Sequence, residues 1–170
     1  MTRRLTAADY ALPATELAPA LVGKLLCRRL NGEVLRARIT ETECYFGQSD
    51  TACHAHRGKT KRTQTLYETG GTAYVYLCYG IHELLNVVSG PEGHPEAVLL
   101  RGVEGAPGPG RLTKRLCIDR TFNGIDLAVS DELWLEDDGA APELEAIERV
   151  GIGYADPADQ QRLWRWRAKG

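Results

Sequence analysis

Short apolar runs alternate along the chain with polar turns rich in Gly, Asn and Asp, and the period of each run suggests its element. ATELAPALVGKLL, residues 14–26, spaces Leu17, Leu21 and Leu25 four apart, which predicts a short helix with Thr15 as its N-cap. LLCRRL and EVLRARITETECY are joined by Asn31-Gly32, a pair that accepts the positive φ angles of a two-residue turn, and so predict a β-hairpin. In its second strand alternate side chains share a face. Ile39, Glu41, Glu43 and Tyr45 are expected on one side, and Thr40, Thr42 and Cys44 on the other. Gly47 ends this strand, and a polar loop runs to about Gly58.

GGTAYVYLCYG predicts another strand, with Tyr74 and Tyr76 on one face and Tyr79, before Gly80, where the strand stops. LLNVVSG, EAVLLRGVEG and ELWLE predict further short strands, with turns at residues 123–124 and 137–139. GPGRLTKRLCI predicts a helix, with Pro109 near its first turn. Strands that follow one another through tight turns favour an α/β (α+β) fold: a largely antiparallel sheet with peripheral helices.

The chain has 170 residues, a length expected of a single domain that buries roughly 70% of the surface of its unfolded chain. No apolar run reaches the ~18 residues of a membrane span, and the first residues lack a secretory pattern, so a cytoplasmic protein is expected. The five cysteines are odd in number and form no CxxC, which predicts reduced, mostly buried thiols. A net charge of −2 hides an asymmetry. Residues 54–62 carry Arg57, Lys59, Lys61 and Arg62 with no acid, and residues 111–120 add Arg111, Lys114, Arg115 and Arg120 against Asp119. Residues 131–148 hold eight acids and no Lys or Arg. Such a division can give one face a positive potential on a nearly neutral chain.

Residues 41–58, ETECYFGQSDTACHAHRG, concentrate the candidate chemistry. Cys44, Cys53, His54 and His56 offer metal-ligand chemistry, but only Cys-His-x-His is tightly spaced. Glu41 and Glu43, ~6.6 Å apart at strand rise, match a paired-carboxylate hydrolase or a surface ion-pair row. Tyr74, Tyr76 and Tyr79 beside a basic loop suit either core packing or stacking on nucleobases.

Taken in order, RITETECYFG, DTACHAHRG, GGTAYVYLCYGIHELLNVVS, EAVLLRG, GPGRLTKRLCI and RVGIGY resemble the alkyladenine (3-methyladenine) DNA glycosylase family of the mammalian type, across roughly residues 10 to 155. The resemblance implies one compact domain on a curved antiparallel sheet. It implies a monomeric enzyme, nucleoid-associated in a bacterial cytoplasm, that extrudes alkylated or deaminated purines from double-stranded DNA and hydrolyses the N-glycosidic bond without metal, cofactor or lyase lysine. Glu43 corresponds to the residue that activates water, held with the help of Arg101 and the backbone carbonyl of Val150. Tyr45 and Tyr76 would sandwich the base, His54 would bond its edge, and Asn86 would disfavour the amino group of guanine. Tyr79 matches the wedge that fills the gap in the duplex. Arg57, Lys59, Arg62 and Arg111 would contact phosphates. The segment 102–108 is short, and residues 156–170, with Trp164 and Trp166, depart from the pattern. Two alternatives carry different expectations: a non-catalytic nucleic-acid-binding module with no need of Glu43 and Arg101, and a metal-dependent hydrolase using Cys53, His54 and His56.

Overall fold

The alternating segments assemble into one ten-stranded antiparallel sheet that does not close into a barrel. The computed structural model describes residues 1–170. The strands are β1 (Arg3–Arg4), β2 (Leu25–Leu30), β3 (Glu33–Phe46), β4 (Ala73–Cys78), β5 (His82–Ser89), β6 (Glu96–Val103), β7 (Ala106–Pro107), β8 (Leu133–Asp137), β9 (Leu144–Ile147) and β10 (Arg165–Ala168). Three short helices, α1 (Ala14–Leu21), α2 (Pro109–Arg115) and α3 (Pro157–Gln160), lie around it. No helix is long and apolar enough to cross a membrane.

The sheet is organised on β3. Its first half pairs with β2, which continues to β8 and β1; its second half pairs with β6, which continues to β5 and β4. A branch of β10 and β9 joins it at residues 41–43. The Asn31-Gly32 hairpin forms as expected, with φ of 52° and 81°. A register irregularity between Ile39 and Thr42 corrects the expected facing. Ile39 packs with Cys44 in the main core, and Thr42 donates to the Ala18 carbonyl of α1. Glu41, Glu43 and Tyr45 lie on the opposite face, because the bulge changes the alternation ahead of Glu41.

Helix α1 is shorter than its leucine spacing predicts. Pro19 has no N–H and frees the carbonyl four residues back, so the helix stops at Leu21, while Leu25 and Leu26 enter β2. Its N-cap is Pro13 rather than Thr15, and the Glu96 carboxylate takes the Ala14 N–H instead. Helix α2 begins with Pro109 at its first turn, as expected. Its Gly110 lies so close to β5 that a Cβ there would come within 2.8 Å of His82 Nδ1. With Thr113 Oγ1 donating to the Glu83 carbonyl, this brings α2 to one wall of a cleft.

Candidate active site

A cleft of about 630 Å³ opens between β3, β4–β6, α2 and the segment 150–154. Tyr45, His54, Arg62, Tyr76, Tyr79, Asn86, Arg101, Arg111 and Val150 all line it. Glu43 lies just beneath its wall, with a side chain 0% exposed.

Glu43 is placed by strand register, opposite Leu99 of β6 and Arg165 of β10. Tyr45 Oη donates to its Oε1 at 2.8 Å, and the Val150 N–H donates to its Oε2 at 2.8 Å. Arg101 Nη1 approaches Oε2 at 3.5 Å, longer than a good charge-assisted hydrogen bond. Burial raises the Glu43 pKa, and Arg101, Val150 and Tyr45 together do not cancel it. A carboxylate in this setting is a stronger base than one in water. The sequence reading assigns a carbonyl to Val150; the geometry adds its amide, which grips the carboxylate directly.

The aromatic wall is built by β4 and the loop after β3. Tyr74 and Tyr76 project from the same side of β4, with ring centroids 5.4 Å apart. His54 meets Tyr76 edge-on at 4.5 Å, and its Nδ1 bonds Tyr74 Oη at 3.0 Å. Burial first, and then the Arg62 charge, lowers the His54 pKa to about 4, so its ring is neutral at physiological pH. In the tautomer where Tyr74 Oη donates to Nδ1, the Nε2–H is left to donate; in the other, Nε2 accepts. Asn86 is buried and donates from Nδ2 to the Tyr74 carbonyl.

Tyr79 sits in the turn between β4 and β5, where Cys78 pairs with His82. It is 87% exposed, with a left-handed φ of 52°. Asn31 adopts the same φ in the β2–β3 turn. Asn tolerates that conformation through its short polar side chain, whereas a bulky ring gains nothing from it in folding. A strained, solvent-facing aromatic beside a cleft points to work outside the fold.

Charge is distributed as the composition suggests, and pairing sharpens it. Glu136, Asp137, Asp138, Glu143 and Glu145 of the acidic stretch are engaged by Arg36, Lys24 and Arg3, Arg38, Lys169 and Arg167. Arg57, Lys59, Arg62 and Arg111 are exposed and take part in no ion pair. Five of the eight acids in residues 131–148 are thus paired, whereas Arg62 and Arg111 line the cleft without a carboxylate partner and Arg57 and Lys59 lie outside its lining.

The Cys-His cluster does not converge. Cys53 Sγ faces the Pro95 carbonyl, His54 bonds Tyr74, and His56 bonds the Gln48 carbonyl. No three His, Cys, Asp or Glu side chains in the chain group as metal ligands. All five cysteines are unpaired, and burial pushes the Cys27 thiol up to about 12 and Cys53 to about 11. Such thiols are poor nucleophiles and poor metal ligands.

Three features escaped the sequence reading. Arg149 and Asp50, both 0% exposed, form a bidentate pair at 2.6 and 3.0 Å that fixes the segment carrying Val150. The Arg149 guanidinium lies 5.1 Å from the Tyr45 ring centroid and 5.1 Å from that of Trp164. Arg165 on β10 bonds Glu41, which also receives Arg101. Tyr154 lines the cleft and donates to the Ala52 carbonyl. The Trp-Arg-Trp-Arg alternation of residues 164–167 is a period-two signal that marks β10.

Comparison with known proteins gives the family of the chain. The family model described as methylpurine-DNA glycosylase (MPG) matches residues 8–107 and 104–170. Relatives named "Putative 3-methyladenine DNA glycosylase" include one from Psychrobacter cryohalolentis, 43% identical over 91% of this chain and 87% of its own length. One from Borrelia garinii subsp. bavariensis is 42% identical over 92% of this chain and 91% of its own. One from Anaeromyxobacter dehalogenans is 45% identical over 98% of this chain and 83% of its own. The matches reach across residues 156–170, the part whose motifs depart most from the expected pattern, and the chain belongs to the methylpurine-DNA glycosylase family.

Proposed function

We propose that the protein removes alkylated or deaminated purines, such as 3-methyladenine, 7-methylguanine, hypoxanthine or ethenoadenine, from duplex DNA by hydrolysis of the N-glycosidic bond. The observation that carries this reading is the buried Glu43 carboxylate, incompletely neutralised and held by Tyr45, Val150 and Arg101 beneath an aromatic cleft.

A base inside a duplex is out of reach, so its nucleotide must rotate out at a cost of a few kcal/mol. Tyr79, already projecting, fills the vacated space and offsets part of that cost, as apolar wedges do. The extruded purine enters between Tyr45 and Tyr76. A cationic alkylated purine gains about 0.5–2 kcal/mol from aromatic faces. The His54 Nε2–H bonds the purine edge, and Asn86 leaves no room for the amino group of guanine. Arg57, Lys59, Arg62 and Arg111 bind phosphates and hold the duplex across the cleft mouth.

Glu43 then takes a proton from water as the water oxygen attacks the sugar C1′. The electron pair of the glycosidic bond leaves with the purine, and the Glu43 charge stabilises the positive charge growing on the sugar. A cationic lesion departs as a neutral base. A neutral lesion such as hypoxanthine needs a proton or hydrogen bond on its ring, which the His54 donor supplies in part.

The test is a base-release assay on duplexes carrying single damaged purines, with and without EDTA. Release of a free purine that leaves an unbroken abasic strand and persists in EDTA is expected. Binding without release would support the non-catalytic module instead. Loss in EDTA with rescue by zinc would support a metal hydrolase.

A further inference from the structure

Glu41 and Arg165 have no part in the roles above, yet they bracket Arg101. Glu41 Oε2 accepts from Arg101 Nε at 3.1 Å and from Arg165 Nη1 at 3.2 Å. Arg101 reaches Glu43 only at 3.5 Å, through Nη1. The four charges therefore alternate: Arg165, Glu41, Arg101, Glu43. All are at least three-quarters buried, with 19%, 22%, 17% and 0% of the side chain exposed, so solvent screens them weakly.

An arginine placed against a buried carboxylate ordinarily closes into a two-pronged bond, which strongly stabilises the anion and weakens it as a base. Here Glu41 holds the Nε edge of Arg101, so Glu43 receives one prong at a loose distance. The bulge in β3 sits between Ile39 and Thr42, where Glu41 itself lies, and it gives Glu41 this placement. Arg165 supplies Glu41 with a second cation, so the carboxylate does not draw Arg101 away altogether. Its Nε also donates to the Glu148 carbonyl at 2.7 Å and so steadies the turn that offers the Val150 amide. The groups facing Glu43 are Tyr45 from its own strand, Arg101 from β6, the Val150 amide from the segment after β9, and Arg165 from β10.

We propose that Glu41 and Arg165 are positioning residues that divide the Arg101 charge between two carboxylates and thereby tune the basicity of Glu43. The proposal rests on Glu43 being the base of the reaction described above. It makes opposite predictions for its two members. Glu41→Gln frees Arg101 to close on Glu43, so the acidic limb of the pH–rate profile moves to lower pH and the plateau rate falls. Arg165→Met removes a cation beside Glu43 and leaves Glu41 to Arg101 alone, so the limb moves to higher pH. Arg165→Lys restores the charge and brings the limb back toward the parent.

Single-turnover release of the fastest-cleaved lesion, measured between pH 4.5 and 8, reads these shifts, each expected at about 1 pH unit. Carbon-13 titration of the Glu43 side-chain carboxyl in the free protein, assigned by its loss in Glu43→Gln, reads them without catalysis. Opposite displacements in the two variants support the proposal. Unmoved limbs and unmoved titrations, with Glu43→Gln inactive, overturn it while leaving Glu43 as the base. An active Glu43→Gln overturns the base assignment itself, and the tuning role with it.

Discussion

Two buried carboxylates, Glu43 and Asp50, stand seven residues apart and face two buried arginines, and they are treated in opposite ways. Asp50 receives a closed fork from Arg149, takes backbone N–H bonds from Phe46 and Ala52, and has no exposed side-chain surface. Burial by itself would lower the Arg149 pKa, but the Asp50 hydrogen bond and charge outweigh it and the net direction is up. Glu43 has one loose arginine contact, and burial wins. The first pair is closed and holds structure. The second stays loose beneath the cleft wall, which leaves a buried carboxylate less fully compensated. The difference separates a carboxylate closed by its arginine from one whose arginine stops at 3.5 Å and whose pKa is left raised.

The comparison can be broken most forcefully at its two carboxylates. Glu43→Gln should lower base release by about 10²–10⁴-fold, because an amide neither accepts the proton nor carries the charge. Its melting temperature should equal or exceed the parent's, and the margin should grow with pH. The sign follows from the raised Glu43 pKa: folding favours the protonated form, so the contribution is present at low pH and is lost as pH rises through the folded value. Asp50→Asn should do the reverse and destabilise the fold by about 3–5 kcal/mol, since it leaves Arg149 buried without its partner. Equal effects of the two substitutions on melting temperature would erase the distinction.

Tyr79→Asn should come next. Asn suits the left-handed turn, so stability should hold or rise, while excision from matched duplex falls by about 10-fold or more. The defect should shrink for a mismatched or single-stranded lesion, where less unstacking is needed. An equal defect in all three contexts would remove the wedge role. Asn86→Ser should raise release of guanine-type bases relative to adenine-type lesions by several-fold, measured as a ratio on paired substrates. The smallest effect belongs to Arg57, Lys59 and Arg62. Neutralising any one should weaken binding to damaged and undamaged DNA alike and reduce the salt slope by about 0.9.

Much of this site was legible because strands encode it locally. Glu43 and Tyr45 are two apart in an alternating run, and Tyr74 and Tyr76 repeat that spacing, so a shared face follows from the period alone. The Asn31-Gly32 turn and the Pro109 helix start are likewise local. What stayed hidden depends on distance along the chain. The bulge ahead of Glu41 arises from pairing with β6, whereas the early end of α1 was legible in Pro19, a local breaker that the leucine spacing outweighed. Asp50 reads as a loop residue until Arg149 is brought to it from ninety-nine positions away. Arg165 drew no reading because strand β10 gains its meaning only from lying against β3.

That late strand also orders events in time. Glu43 is synthesised early, whereas the Val150 amide and Arg165 that complete its surroundings follow roughly a hundred residues or more later. Contacts so far apart form late, because the intervening loop must first be closed. A chain that has reached only β6 already carries the loop cations but still lacks the Val150 amide that holds Glu43 and the Arg165 that pairs with Glu41. The surroundings of Glu43 are therefore complete only with the finished fold. On the function proposed above, the order of synthesis places the loop cations first and the last supports of the carboxylate at the end, so contact with DNA would precede the capacity to cleave it.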